Sequence, residues 1–299
     1  MRAAAGIVFA CLTSVTAPAQ QSGSDTVAAR AAFLLGRAAV QARRVDEAVT
    51  QLERAVALDA GNWEYHMWLG HAYVRQINVV NFMRKPFVGR RMGAEYNKAV
   101  ELAPNNVEAA EARLEFFLNA PGMVGGGLDR ARAEATRITT LNHYRGGFAQ
   151  ARIAEHEKQY AAADSVYRTL IEQYPDSSAP VAALVTLYQT TARYDDAFAI
   201  VDARLAKNPD DTSSIYQLGR LAAVSGRQLE RGETALRRFL DMLGSKDAFR
   251  AANGHYRLAM IRERLGDAAG ARAEYRQAVA LNPGHELAVE ALKKLDRRQ

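Results

Sequence analysis

Apolar residues recur along this chain four and then three positions apart, in blocks separated by polar turns. Ala48, Leu52 and Ala55 form one such set, Ala163, Tyr167 and Leu170 another, and Ala271, Tyr275 and Ala278 a third. That spacing places each set on one face of an amphipathic α-helix, so the pattern predicts a succession of helices. The blocks also repeat. "YAAADSVYRTLIEQYPD", "RYDDAFAIVDARLAKNPDD" and "GDAAGARAEYRQAVALNPGH" align with one another, and Ala163 and Ala197 lie 34 residues apart, as do Pro175 and Pro209. A repeat of this length marks stacked supersecondary units.

Seven units follow from that register: 29–62, 63–106, 107–143, 144–177, 178–211, 212–246 and 252–285, with 286–299 ("ELAVEALKKLDRRQ") as a charged capping helix. Small residues recur on the first segment of a unit (Gly36, Gly70, Gly219) and on the second (Ala48, Ala163, Ala197, Ala271). Glycine inside a helix costs about 0.5–1 kcal/mol relative to alanine, so its recurrence predicts helices in close approach. A proline closes several units, at Pro104, Pro175, Pro209 and Pro283, where one helix must stop before the next begins.

The period, the Leu69-Gly70…Tyr73 and Leu218-Gly219 pairs, the following alanines and the closing prolines resemble the tetratricopeptide repeat, a helix-turn-helix unit. The resemblance covers nearly all of the chain beyond its first residues. It implies an all-α solenoid, a right-handed superhelix whose first helices line a concave groove. Such a fold displays a surface, and its function depends on what is displayed.

Two stretches depart from the repeat. The second unit is too long, and "RQINVVNFMRKPFVGRRMG" (75–93) falls between its helices. Read as an insertion in the turn, with Pro86 blocking any helix that runs through from Tyr73, it projects Phe82, Met83, Phe87 and Val88 beside Arg84, Lys85, Arg90 and Arg91. Three readings stand for it: contact with an acidic and apolar partner, contact with an anionic membrane surface, or aromatics that fold back to seal the repeat edge. The third unit carries "NAPGMVGGGLDRAR" (119–132), whose Gly125-Gly126-Gly127 lacks the lysine and preceding strand of a phosphate loop and reads as a flexible turn. The pairing of these two turns resembles exported bacterial members of the repeat family, a resemblance that implies no activity.

The first residues obey other rules. "MRAAAGIVFACLTSVTAPAQ" has Arg2, an apolar run from Ala3 and a small-residue box at Ala17-Pro18-Ala19, the pattern of a signal peptide (1–19) cut after Ala19. A lipid-modified Cys11 is disfavoured by Phe9 and by the shortness of the leader. Residues 20–28 read as a flexible lead-in. Cleavage removes the single cysteine and leaves a thiol-free chain suited to the periplasm or to secretion. That run is too short to span a bilayer as a permanent helix, and no other apolar run reaches the length needed.

A 48% hydrophobic and 24% charged composition belongs to a folded protein, and the net charge of +6 is spread among both signs. Nucleic acid is therefore not expected as a ligand. Neither is catalysis. His66, His71, His143, His156, His255 and His285 form no His-Glu-x-x-His pair, no Gly-x-Ser-x-Gly elbow occurs, and no metal or cofactor set is found. Projection of the first helices predicts a groove face of Phe33, Arg37, Met67, His71, Arg75, Phe148, Arg152, Tyr216, Arg220, Tyr256 and Met260, with an acidic patch at Glu111 and Glu115. Arginine and tyrosine are common binding anchors. The expectation is a non-catalytic scaffold or adaptor of the cell envelope that binds an acidic, apolar protein or peptide. The alternative is a surface protein that touches anionic lipid or polymer through 77–91.

Overall fold

A computed structural model of the chain describes residues 18–244 and 246–297, with side chains from Asp25 onward. The proposed leader lies almost wholly outside the described residues. Two compact units divide the chain, the first ending at Asn142 and the second beginning at His143.

Unit 1 holds α1 (Pro18–Gln41), α2 (Val45–Leu58), α3 (Trp63–Val79), α4 (Lys85–Leu102), α5 (Val107–Asn119) and α6 (Leu128–Leu141). Unit 2 holds α7 (His143–His156), α8 (Tyr160–Gln173), α9 (Ala179–Thr190), α10 (Tyr194–Lys207), α11 (Thr212–Ser225), α12 (Leu229–Leu243), α13 (Ala248–Arg264), α14 (Ala268–Leu281) and α15 (Glu286–Asp296). Within each unit every helix packs on the next, and first helices also meet one another, as α1 meets α3 and α11 meets α13. This is a solenoid of helical hairpins, with no strand among the described residues.

Local chemistry sets the ends of the helices. Asn62, Asn106 and Asp247 accept backbone N–H groups at the starts of α3, α5 and α13, at 3.0, 2.9 and 2.9 Å. Pro104, Pro175, Pro209 and Pro283 each sit two residues beyond a second helix. Four of the turns inside hairpins share one closure. Arg44, Gln159, Arg193 and Asp267 donate their N–H to the carbonyls of Ala39, Ala154, Tyr188 and Arg262, each five residues earlier, at 2.8–2.9 Å. The residue before each donor (Arg43, Lys158, Ala192, Gly266) has positive φ, the geometry that satisfies the last carbonyls of a helix. Only Gly266 advertises it in the sequence.

The glycines do what their recurrence predicts. A Cβ at Gly36 would stand 2.5 Å from Leu52, at Gly70 2.5 Å from the Tyr96 ring, and at Gly219 2.2 Å from Leu236. Each would collide with a side chain of the hairpin's second helix. Ala48, Ala163, Ala197 and Ala271, on the second helices of their hairpins, are fully buried.

Three expectations need correction. Residues 20–28 are not a flexible lead-in: α1 runs unbroken from Pro18, a residue tolerated in the first turn because its missing N–H has no helical partner there. The extra length of the second unit is not a long turn either. It goes mainly into the helices, 17 residues in α3 and 18 in α4 against 14 in α8, leaving residues 80–84 as the connection. Pro86 occupies the first turn of α4 and starts that helix. The Gly125–Gly127 turn is tightly determined: Gly125 and Gly127 have φ of 107° and 149°, and a Cβ on Gly126 would lie 1.7 Å from the Ala120 carbonyl oxygen. Its three amides donate to Gly122, Pro121 and Phe117, so none is left to cradle an anion.

Candidate functional site

In unit 1 the predicted groove residues separate into core and surface. Phe33 and Met67 are fully buried, which removes them from any ligand-facing surface. Phe33 stacks on Tyr65 at 4.8 Å and meets Trp68 edge-on at 6.5 Å, because its side of α1 is the one that packs against α3. Arg37 spans what remains visible, with its guanidinium 5.4 Å from the Phe33 centroid and 5.9 Å from that of Trp68. His71 is half-buried and lies edge-on to Trp68, its Nδ1 2.9 Å from the Tyr96 hydroxyl. Burial, reinforced by the charge of Arg75, pulls His71 below its ordinary value. Arg75 is exposed, and Glu111 and Glu115 are half-buried.

The basic and aromatic stretch of the second unit does not fold back as a seal. Phe82 is 84% exposed, Met83 87% and Phe87 61%. Val88, expected to project with them, is instead buried on the inner side of α4. Arg91 is committed to the fold: it donates to Glu53 at 2.6 Å and lies over Tyr73 at 4.8 Å. Arg84, Lys85 and Arg90 are exposed, and among the described residues none of them forms an ion pair.

Unit 2 presents the more chemically defined face. Phe148 is half-buried between Tyr144 and Tyr167, at 5.1 and 5.9 Å, and Arg152 is exposed. Tyr216 packs on Phe239 at 5.0 Å. Arg220 donates only to neutral acceptors, Gln217 at 2.8 Å and Thr186 at 3.2 Å. Burial holds its guanidinium below the ordinary range; the Tyr216 phenol opposes that, and the charge of Arg257 adds to it. Arg257 lies over the Tyr256 ring at 5.1 Å and donates to the Met260 sulfur at 3.3 Å, while its Nε is buried with no partner. Gln189 Nε2 and His285 Nε2 are buried and unpartnered as well. Tyr256 rests against His285 at 4.8 Å and Tyr275 at 5.9 Å. Glu263 accepts from the Tyr275 hydroxyl at 3.1 Å.

Sequence reasoning picked out Tyr216, Arg220, Tyr256 and Met260 on this face and missed Thr186, Gln189 and Arg257. A signal for Thr186 existed, since it precedes Arg220 by one repeat of 34 residues. Arg257 had none: its neighbour Tyr256 was the projected position, and only the packing of α13 on α11 turns both inward. Among the described residues no three His, Cys, Asp or Glu side chains converge as a metal site. No helix there is long and apolar enough to cross a membrane.

Comparison with known proteins agrees with the hairpins. Models of the tetratricopeptide repeat match residues 27–81, 154–221 and 252–285, together just over half of the chain. A tetratricopeptide repeat protein from Parabacteroides merdae superposes with a TM-score of 0.55 at 14% identity, over 92% of this chain and 99% of its own. Yeast Tom70 superposes with a TM-score of 0.64 at 12% identity, over 84% of this chain and 49% of its own. At these identities the likeness is one of fold. No curated protein matches by sequence.

Proposed function

The chain belongs to the tetratricopeptide repeat family, and from that premise we propose a non-catalytic scaffold that holds an acidic, apolar peptide or protein segment on the first-helix face of unit 2. The observation that carries this reading is the pair Arg220 and Arg257. Both are half-buried beside tyrosines, and neither forms an ion pair with a carboxylate among the described residues. A buried cation without a counter-ion is costly, and a ligand carboxylate would relieve that cost while Tyr216 and Tyr256 cover its apolar neighbours. Labelled peptides alternating Asp or Glu with Leu or Phe test this by fluorescence anisotropy. They bind the wild type more tightly than Lys-substituted counterparts, and R220Q/R257Q weakens binding on the order of tenfold. Equal binding of both peptide classes, or no change in the double variant, removes the reading.

Export completes the proposal. With Arg2, the apolar run and Ala17-Pro18-Ala19 as a cleaved leader, the scaffold works in the periplasm or outside the cell. A second reading, contact with anionic lipid or polymer through 77–91, is favoured by the exposure of Phe82, Met83 and Phe87 beside three unpaired cations.

A further inference from the structure

The two turns that depart from the repeat belong to different hairpins, yet the fold brings them together. Residues Phe82–Arg84 form a single 3-10 turn that abuts the start of α4. Residues Gly122–Val124 form another, and it packs on that same helix. Val124 lies 3.4 Å from where a Cβ on Gly89 would stand, two residues beyond Phe87. Its neighbour Met123 is 74% exposed. Phe82, Met83, Phe87 and Met123 therefore lie at one end of unit 1, around the start of α4, which also carries Arg84, Lys85 and Arg90.

We propose that this end is a lipid-docking edge, which seats on an anionic bilayer by inserting Phe82, Met83 and Met123 among the headgroups while Arg84, Lys85 and Arg90 engage the phosphates. The proposal rests on the second reading above and narrows it, to a bilayer and to a surface built from two hairpins. Three features favour a bilayer over an acidic protein. Side chains this exposed protrude, and a protrusion enters a soft interface without a matching cavity. Phe and Met beside Arg and Lys suit the headgroup boundary, where apolar tips go inward and cations stay at phosphate level. The scaffold behind them is held: Gly93 admits the Phe116 ring, whose nearest atom would lie 2.4 Å from an added Cβ, and Arg130 donates to the Gly125 carbonyl at 2.8 Å. Two acidic groups near this end are already paired: Asp129 with Arg132 at 3.2 Å and Glu53 with Arg91 at 2.6 Å.

Sedimentation of the processed protein with vesicles tests the edge, using phosphatidylcholine with and without phosphatidylglycerol. The wild type sediments with the anionic vesicles at low salt and not with the neutral ones. F82S/M83S, M123S and R84Q/K85Q/R90Q each weaken this on the order of tenfold, with helicity unchanged by circular dichroism. Absence of anionic-vesicle binding overturns both this proposal and the reading beneath it. Binding that falls with R84Q/K85Q/R90Q but survives M123S and F82S/M83S overturns the inserted edge alone, leaving a purely electrostatic contact. Soluble acidic peptide that binds as tightly as the anionic vesicles, and loses binding equally in F82S/M83S and M123S, points to an acidic protein as the occupant and likewise overturns the bilayer.

Discussion

His66 shows how one residue's role depends on a partner far away in sequence. It is buried in α3, with Nδ1 2.6 Å from a Glu95 carboxylate oxygen and Nε2 3.1 Å from the Ala60 carbonyl oxygen. Burial pulls its pKa down, but the Glu95 hydrogen bond, the Ala60 carbonyl and the Glu95 charge together outweigh it, so the folded value lies above the ordinary 6.5. A raised folded pKa means stabilisation that is complete below 6.5 and lost as pH rises through the raised value. His71 is shifted downward and acts with the opposite sign, so the useful quantity is the difference between wild type and H66Q. That difference in urea midpoint shrinks from acidic to alkaline pH. Tryptophan fluorescence reads it locally, because Trp63 and Trp68, the only two tryptophans, flank His66 in α3. Nothing in "WEYHMWLGH" announces this role, since Glu95 is 29 residues away.

At the scale of the element, hairpins are joined by apolar faces and by a few buried polar junctions. Asp164 in α8 is such a junction. It accepts from Arg168 at 2.6 Å, from the Tyr188 hydroxyl in α9 at 2.8 Å and from Arg193 before α10 at 3.0 Å. Burial opposes its charge, but these donors hold its carboxyl below the usual range. Both guanidiniums are about half exposed, which discounts the charge contribution and leaves the buried hydrogen bonds as the main effect. D164N therefore destabilises unit 2 by about 1–3 kcal/mol in urea melts followed by circular dichroism, with Y188F costing less. The helices of this region were legible from Ala163, Tyr167 and Leu170. The junction was not, because polar residues on an amphipathic helix read as solvated until a neighbouring hairpin covers them. The same blindness led the projection to put Phe33 and Met67 on the groove: helical spacing identifies a face but not which neighbour that face meets.

At the scale of the whole molecule, the proposed export carries its own signature. Cleavage after Ala19 removes Cys11, the single cysteine. Protein recovered from the envelope or medium of an expressing bacterium then begins at Gln20 by mass spectrometry and is silent to thiol reagents, whereas retained full-length protein reacts once. The sequence by itself determined the hairpin architecture, because period, close-packing glycines and alanines, and closing prolines are local requirements of a helix pair that each copy must restate. Tertiary structure alone decided the rest. It placed the left-handed residue at Arg43, Lys158 and Ala192, turned a supposed insertion into two longer helices with Pro86 in the first turn of the second, and carried Met123 to the same end of unit 1 as Phe82. It also set Arg257 beside Arg220 with a buried nitrogen unpaired. The first two are turn and helix-end geometries that non-glycine residues adopt without a sequence signature, and the last two are contacts between copies, governed by packing across a distance that no single copy encodes.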